Sequence, residues 1–199
     1  MKIAVFASGK GTNLAAIIKA KNKGLLNVDI SLVISDNKKS LALKRAQRAG
    51  IKAVFVDPFR FPQREEFEQE VIKALEQEAV DLIVLAGFMR ILSPSFVNRF
   101  QNRILNIHPA LLPAFKGAHS IKDAFDYGVK VTGVSVHFVD ENMDHGPIIL
   151  QKAVAVDEKD SLETLESKIH KVEHKIYPEA IELFAQGRLK IEGRRVKIV

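Results

Sequence analysis

The residues with the clearest chemical potential are an asparagine and a histidine two positions apart, Asn106 and His108, followed directly by Pro109. An imidazole exchanges protons near neutral pH, and a carboxamide can donate a hydrogen bond to a developing oxyanion. Residues two apart on a strand point to the same side, so both side chains can face one site. The alternative is a pair that only satisfies loop backbone at the end of a strand.

A third group can come from the acidic turn 140–147, which separates two apolar segments. This turn is either a solvated hairpin loop or a source of one inward-pointing carboxylate. Asp144 beside His108 would stabilise the imidazolium form of that ring. The chain has no cysteine, and none of its serines lies in a Gly-x-Ser-x-Gly nucleophile elbow. We therefore expect the attacking group to come from a substrate rather than from a covalent enzyme intermediate.

A glycine loop, 8–13, joins the first apolar run to the first helical pattern. Backbone N–H groups that converge at a helix N-terminus favour an anion. Leu14 stands where the dinucleotide fingerprint needs its third glycine, and Lys10 precedes Gly11 and Thr12 instead of following the Walker order. The loop is therefore either a site for a single phosphate or a tight turn without a ligand.

A rival site is suggested by His170, Glu173 and His174, which match the inverted zincin pattern H-x-x-E-H. Histidines four apart share one face of a helix. A catalytic zinc ion needs a third protein ligand, and no second helix offers an obvious one. The alternative is a set of polar residues on the inner edge of a terminal helix, and we expect no metal.

The charge balance admits a nucleic-acid-binding function, since the chain carries a net charge of +6. The basic residues are dispersed, however, with their densest cluster in 193–197. Segment 59–64 interleaves aromatic and basic side chains as single-strand binders do, but Pro58 and Pro62 favour a loop that packs two phenylalanines into the core. We expect the positive charge to attract small anionic substrates and no nucleic acid.

These residues need a scaffold that brings the ends of several segments together. Up to residue 107, short apolar runs alternate with stretches whose apolar positions recur at helical spacing. The predicted strands are 2–7, 28–34, 53–56, 80–86 and 103–107, and the predicted helices are 13–23, 41–49 and 64–79. This order predicts an α/β fold, a Rossmann-like open, mostly parallel twisted sheet with helices on both faces. Ligands bind such sheets beyond the carboxyl ends of the strands.

The second part of the chain follows a different pattern. Segments 131–139 and 148–156 are strands joined so closely that they should run antiparallel. Segment 161–186 predicts a long C-terminal helix, which Pro178 should kink or divide. Segment 110–130 is interpreted as a mobile lid over the site.

The length of 199 residues suits a single domain. No apolar run is long enough to span a bilayer. The first apolar run is similar to the core of a signal peptide, but it leads directly into the glycine loop. We therefore expect a cytoplasmic protein with no membrane partner.

Four stretches taken together resemble one enzyme family. They are 87–93 (GFMRILS), 106–113 (NIHPALLP), 133–149 (GVSVHFVDENMDHGPII) and 173–178 (EHKIYP). Over nearly the whole chain, these motifs are similar to those of the phosphoribosylglycinamide formyltransferase family. The resemblance implies transfer of a formyl group from 10-formyltetrahydrofolate to the amine of glycinamide ribonucleotide, in de novo purine biosynthesis.

The resemblance also implies roles for individual residues. The implied catalytic set is Asn106, His108 and Asp144. The implied ribonucleotide-binding residues are Gly11, Thr12, Asn13, Gly87 and Glu173, with the phosphate on the first three and the ribose near the last. The implied folate-binding residues are Arg64, Met89, Arg90, Ile91, Leu92, Val139 and Asp140. The domain then comprises a phosphate-binding half, 1–105, and a catalytic and folate-binding half, 106–199, in a monomer or a homodimer.

Other functions remain open at this point. Methionyl-tRNA formyltransferase and the formyltetrahydrofolate hydrolase are similar in the same motifs, but each carries a further domain for which 199 residues leave little room. A zinc hydrolase and a non-catalytic nucleotide- or RNA-binding module are the remaining alternatives. Dependence of formyl release on glycinamide ribonucleotide would separate these functions.

Overall fold

The computed structural model describes all 199 residues, which form one nine-stranded sheet flanked by helices. The strands are β1 (Lys2–Phe6), β2 (Asp29–Ser35), β3 (Lys52–Phe55), β4 (Leu82–Leu85), β5 (Ile104–His108), β6 (Val131–Phe138), β7 (Ile148–Ala155), β8 (Leu189–Glu192) and β9 (Arg195–Ile198). The helices are α1 (Thr12–Asn22), α2 (Leu41–Arg48), α3 (Arg64–Gln77), α4 (Pro94–Arg99), α5 (Ser120–Tyr127) and α6 (Leu162–Ala185), with a 3₁₀ turn at Pro58–Arg60.

The strand order is β3-β2-β1-β4-β5-β6-β7-β9-β8. Strands β1 to β5 pair in parallel, whereas β6 runs antiparallel to both β5 and β7. The predicted α/β fold is therefore confirmed, including its antiparallel strands in the C-terminal part. The strands and helices predicted up to residue 107 are present with ends within two residues of their predicted positions.

Two hydrophobic cores cover the two faces of the sheet, as side-chain alternation along its buried strands requires. On β1, Val5 belongs to one core and its neighbour Phe6 to the other. Helices α1 and α6 contribute to the first core, and α3 and α4 to the second. Both cores leave the carboxyl ends of the central strands free to carry polar groups.

One buried tyrosine links the C-terminal helix to two central strands. Tyr177 of α6 is fully buried, and its hydroxyl lies 2.7 Å from the carbonyl oxygen of Leu85 and 3.1 Å from that of Leu105. Burial raises the pKa of Tyr177 well above its ordinary value, so the hydroxyl keeps its proton and donates it. Helix α6 is thereby attached to the carboxyl end of β4 and to β5.

The long C-terminal helix is present as predicted, and the C-terminal part also contains features that were not predicted. Pro178 does not divide α6, which is continuous from Leu162 to Ala185, because its neighbours are buried against the sheet and this packing offsets the lost hydrogen bond. Segment 110–130 contains helix α5, which was not predicted. The basic cluster 193–197 lies in a hairpin of β8 and β9 that extends the sheet. No helix is long and apolar enough to cross a bilayer.

Candidate active site

The central feature of the site is the end of β5, which presents Asn106 and His108 on one side of the strand. Ile107 points to the opposite side, into the first core, as strand alternation predicts. His108 is buried and Asn106 is half-buried. The strand ends at His108, so both polar side chains lie at the carboxyl edge of the sheet.

Asp144 completes a cluster with these two side chains. One carboxylate oxygen, Oδ2, lies 3.4 Å from His108 Nδ1, and the other, Oδ1, lies 3.4 Å from Asn106 Nδ2. The side chains of His108 and Asp144 are only 5% and 10% exposed, so solvent screens their attraction weakly. The structure therefore brings together the three residues that the sequence predicts as catalytic, from positions up to 38 residues apart.

The segment after β5 also contacts this cluster. The Nε2 atom of His108 lies 2.8 Å from the carbonyl oxygen of Phe115, and the N–H of Gly117 donates to Asp144 Oδ2 at 2.9 Å. Both ring nitrogens of His108 consequently face oxygen atoms, an arrangement that a doubly protonated ring satisfies. To donate a hydrogen bond or a proton to a reacting group, the Nε2–H would exchange the Phe115 carbonyl oxygen for that group.

A second histidine, which the sequence analysis did not single out, orients Asn106. This residue is His137, whose buried side chain lies opposite Asn106 in the β5–β6 register. Burial lowers the pKa of His137, so the ring is neutral. Its Nδ1–H donates to the carbonyl oxygen of Phe138 at 2.7 Å, which leaves Nε2 to accept from Asn106 Nδ2 at 3.2 Å. This contact sets which end of the Asn106 carboxamide faces the site.

The glycine loop lies at the same edge of the sheet and touches α6. Gly11 has a φ of 66°, and helix α1 begins after it without a side-chain cap on its first N–H groups. Asn13 is buried and its Nδ2 donates to Glu173 Oε2 at 3.2 Å. The Oδ1 atom of Asn13 is buried without a hydrogen-bond partner. These free donors and this oxygen suit a polar ligand at the N-terminus of α1.

We expect Gly11→Ala to destabilise the fold and to weaken ribonucleotide binding. A Cβ atom at position 11 would lie 2.8 Å from the Cα atom of Ala42, and alanine is strained at this φ. The expected loss in the free energy of unfolding is about 1–3 kcal/mol, measured by denaturant titration. Gly9→Ala is the control, because a Cβ atom there meets nothing within 4 Å. Equal stability of the two variants would contradict this explanation.

The structure assigns the rival histidine motif a different arrangement. The rings of His170 and His174 stack with centroids 6.4 Å apart, and His170 Nδ1 lies 2.8 Å from Glu173 Oε2. No group of three or more histidine, aspartate or glutamate side chains is placed to hold a metal ion. Glu173 instead joins His170 to Asn13 and so belongs to the edge of the glycine loop.

The pKa of His170 should lie above the ordinary value for histidine, and the pKa of His174 should lie below it. The hydrogen bond to Glu173 raises the pKa of His170, and burial lowers that of His174. The His170–Glu173 ion pair is therefore present at low pH and is lost as the pH rises through the raised pKa of His170. NMR titration of the ring protons checks this order, and Glu173→Gln should lower the pKa of His170. A His170 that titrates below His174 would contradict it.

The residues predicted to bind folate occupy two loops at this edge and one helix end. Met89 and Ile91, in the loop after β4, are 70% and 62% exposed. Between them, the guanidinium of Arg90 lies 4.8 Å above the ring of Phe67, and beyond them Leu92 is buried. Exposed apolar side chains beside free backbone groups can hold a flat, partly polar ligand.

The remaining three predicted folate residues lie after β6 and at the start of α3. Val139 is half-buried and packs against the second core, and the carboxylate of Asp140 is held by His145 at 2.6 Å and by the N–H of Asn142 at 3.0 Å. Arg64 begins α3, and its only ion pair is with the adjacent Glu65. The structure therefore does not join Arg64 to the catalytic cluster.

A buried carboxylate that the sequence analysis missed anchors the loop after β4. Glu68 of α3 accepts hydrogen bonds from both the N–H and the hydroxyl of Ser93, with 2.7 Å between the amide nitrogen and Oε1. At the other end of the loop, the N–H of Met89 donates to Ser8 Oγ at 2.9 Å. The loop is thereby held between α3 and the glycine loop. The sequence signal for this buried carboxylate was the position of Glu68 on the apolar face of the predicted helix 64–79.

Comparison with known proteins agrees with this geometry. Residues 1–181 match the family model described as "Formyl transferase". Phosphoribosylglycinamide formyltransferase of Bacillus subtilis is 43% identical over 181 residues, which cover 91% of this chain and 93% of that protein. The chicken trifunctional purine biosynthetic protein adenosine-3 is 45% identical over 96% of this chain, which spans only 19% of that longer protein.

A solved structure is similar over the full length. The crystal structure of glycinamide ribonucleotide transformylase 1 from Symbiobacterium toebii superimposes with a TM-score of 0.97 and 49% sequence identity, covering 100% of this chain and 94% of that one. The sheet order, the cluster at the end of β5 and these similarities agree. The chain belongs to the formyl transferase family and, within it, to the phosphoribosylglycinamide formyltransferases.

Proposed function

We propose that this chain transfers the formyl group of 10-formyltetrahydrofolate directly to the amine of glycinamide ribonucleotide, giving formylglycinamide ribonucleotide and tetrahydrofolate. The observation that carries the proposal is the convergence of Asn106, His108 and Asp144, joined by two contacts of 3.4 Å at the edge that also holds the glycine loop. This step belongs to de novo purine biosynthesis. We place it in the cytoplasm, in a monomer or a homodimer.

The cluster suits the charge changes of this reaction. Attack of the amine on the formyl carbon creates a tetrahedral centre with a negatively charged oxygen. The Asn106 amide and the protonated His108 ring can donate to that oxygen, and Asp144 stabilises the positive ring while the charge develops. The neutral Nε2 of His137 accepts one of the two Asn106 amide hydrogens, and the other points to Asp144 Oδ1, which the reacting oxygen would replace as acceptor.

Protons must also be moved, because the attacking amine loses one and the departing folate nitrogen gains one. The Asp144–His108 pair can accept the first and deliver the second, directly or through a water molecule. The formyl donor is a second substrate, and no metal takes part in the proposed steps. Holding amine and formyl carbon in contact supplies the other large part of the rate.

We assign the two substrates to opposite ends of the site. The ribonucleotide phosphate lies on Gly11, Thr12 and Asn13, and the ribose lies at Glu173. The glycinamide part of the ligand passes Gly87. The folate lies between the loop 89–92 and the loop that begins with Val139 and Asp140, with Arg64 at its outer end. In this assignment residues 1–105 supply the phosphate loop and residues 106–199 the catalytic cluster, while Arg64 and 89–92 reach the folate and Glu173 reaches the ribose, within one domain built on a shared sheet.

An absorbance assay of formyl-folate consumption, with and without glycinamide ribonucleotide, tests the proposal. Consumption that requires the ribonucleotide supports it. Consumption without any acceptor indicates a hydrolase, and consumption that requires charged initiator tRNA indicates a tRNA formyltransferase. Salt-sensitive binding of RNA with no consumption indicates a binding module.

A further inference from the structure

The C-terminal hairpin reaches the loop that carries Asp144 through one arginine. Arg194 lies in the two-residue turn between β8 and β9, within the basic cluster noted in the sequence and beyond the residues that match the family model. Its Nη2 atom donates to the carbonyl oxygen of His145 at 2.6 Å. Its Nη1 atom lies 3.1 Å from Nε2 and 3.3 Å from Nδ1 of the same histidine. Both contacts are made at the residue that follows Asp144.

His145 continues the connection to the start of the loop. Its Nδ1 atom lies 2.6 Å from Asp140 Oδ2, so the Nδ1–H donates to the carboxylate. The guanidinium of Arg194 packs against this ring, close to both of its nitrogen atoms. Asp140 also accepts from the N–H of Asn142 at 3.0 Å. The hydrogen bonds therefore link the hairpin to both ends of the loop 140–145.

The hairpin is itself fixed to the sheet, so it can serve as a support. Strand β9 pairs with β7 at Arg195 and Ile148, and Leu189, Ile191 and Val196 pack against the first core. The supported loop, in contrast, places Asp144 at a φ of 48°, in a region that residues other than glycine rarely adopt. Such a conformation persists only where surrounding contacts determine it.

We propose that Arg194 is a positioning residue that holds the loop 140–145 in the conformation that presents Asp144 and the folate contacts. The proposal rests on the proposed function, since it concerns the efficiency of the same reaction. Arg194 does not touch the reacting atoms, and it lies away from the glycine loop. Its loss should therefore affect the folate side of the site and leave the ribonucleotide side unchanged.

Steady-state kinetics of Arg194→Ala, Arg194→Lys and Arg195→Ala test this assignment. Arg194→Ala should lower kcat/KM for formyl-folate by about three- to tenfold, the range for loss of one ordinary hydrogen bond, because solvent screens the charge at this exposed position. The KM for the ribonucleotide should not change. Lysine should restore part of the loss, because its ammonium can reach the carbonyl oxygen but cannot also contact the ring. Arg195→Ala is the control, since it removes the same charge from the neighbouring residue, which makes no side-chain hydrogen bond or ion pair.

Two further measurements separate the outcomes. Unfolding midpoints of the variants show whether the fold is intact, and calorimetric titration with tetrahydrofolate measures the folate side without any transfer step. A folate effect specific to Arg194 supports the proposal. Equal kinetics of the two alanine variants, or a ribonucleotide KM that rises as much as the folate KM, would overturn it. Failure of the wild-type protein to transfer formyl would overturn the proposed function instead, and tetrahydrofolate binding would still report on Arg194.

Discussion

His108→Ala is expected to lower the turnover number of formyl transfer by about a hundred- to a thousandfold, the usual cost of losing one oxyanion donor. The ring is buried, with Nδ1 3.4 Å from Asp144 Oδ2 and Nε2 2.8 Å from the carbonyl oxygen of Phe115. Alanine removes the hydrogen-bond donor and the proton carrier together. The glycine loop is untouched, so ribonucleotide affinity should stay at the wild-type value.

Turnover at saturating concentrations of both substrates measures the first quantity, and calorimetric titration with the ribonucleotide measures the second. His108→Gln is an informative comparison, because glutamine keeps an N–H donor but cannot carry a proton. Its turnover number should fall between those of the wild-type protein and the alanine variant. A turnover number near wild type in His108→Ala would remove the proposed mechanism.

Asp144→Asn is the second change with a large expected effect, a loss in turnover of about a hundred- to ten thousandfold. Both carboxylate oxygens have partners: Oδ1 faces Asn106 Nδ2, and Oδ2 faces His108 Nδ1 and accepts from the N–H of Gly117. An asparagine of the same shape would turn an amide N–H toward one of these donors. It would also remove the negative charge that stabilises a protonated His108.

The control for this variant is Asp126→Asn, which removes the same charge from an exposed residue of α5 paired with Lys122. Its turnover number and ribonucleotide affinity should match those of the wild-type protein. If Asp144→Asn and Asp126→Asn lose activity equally, the loss comes from net charge and not from the cluster. The pH profile of turnover supplies a further check, because only the first variant alters a group beside His108.

The parallel half of the sheet was predictable because its strands and helices are marked locally. Apolar runs such as 80–86 and the helical spacing of 64–79 specify elements without reference to distant residues. The proximity of Asn106 to His108 was predictable for the same reason, since strand alternation is a local rule. The contact of both with Asp144 followed only from the expectation that polar residues after strands meet at one edge.

Apart from Glu68, the missed features discussed here depend on pairings that local patterns do not determine. His137 faces Asn106 because of the β5–β6 register, which links residues 31 positions apart. Arg194 reaches His145 across 49 positions, through a hairpin whose strands have only four residues each. Helix α5 follows a segment rich in loop-forming residues, and its burial against α6 stabilises it more than its own sequence suggests.

The hydrogen bonds of the Tyr177 hydroxyl bear on which lengths of formyl-accepting substrate the site can hold. Tyr177 lies one helical turn after Glu173, and its two carbonyl partners belong to Leu85 and to Leu105, the residue before Asn106. The proposed ribose end and the proposed reacting end of the acceptor site are thus attached to one frame, with little freedom to move apart. We expect the enzyme to discriminate acceptors by the span between phosphate and amine, because one additional methylene would carry the nitrogen past the formyl carbon.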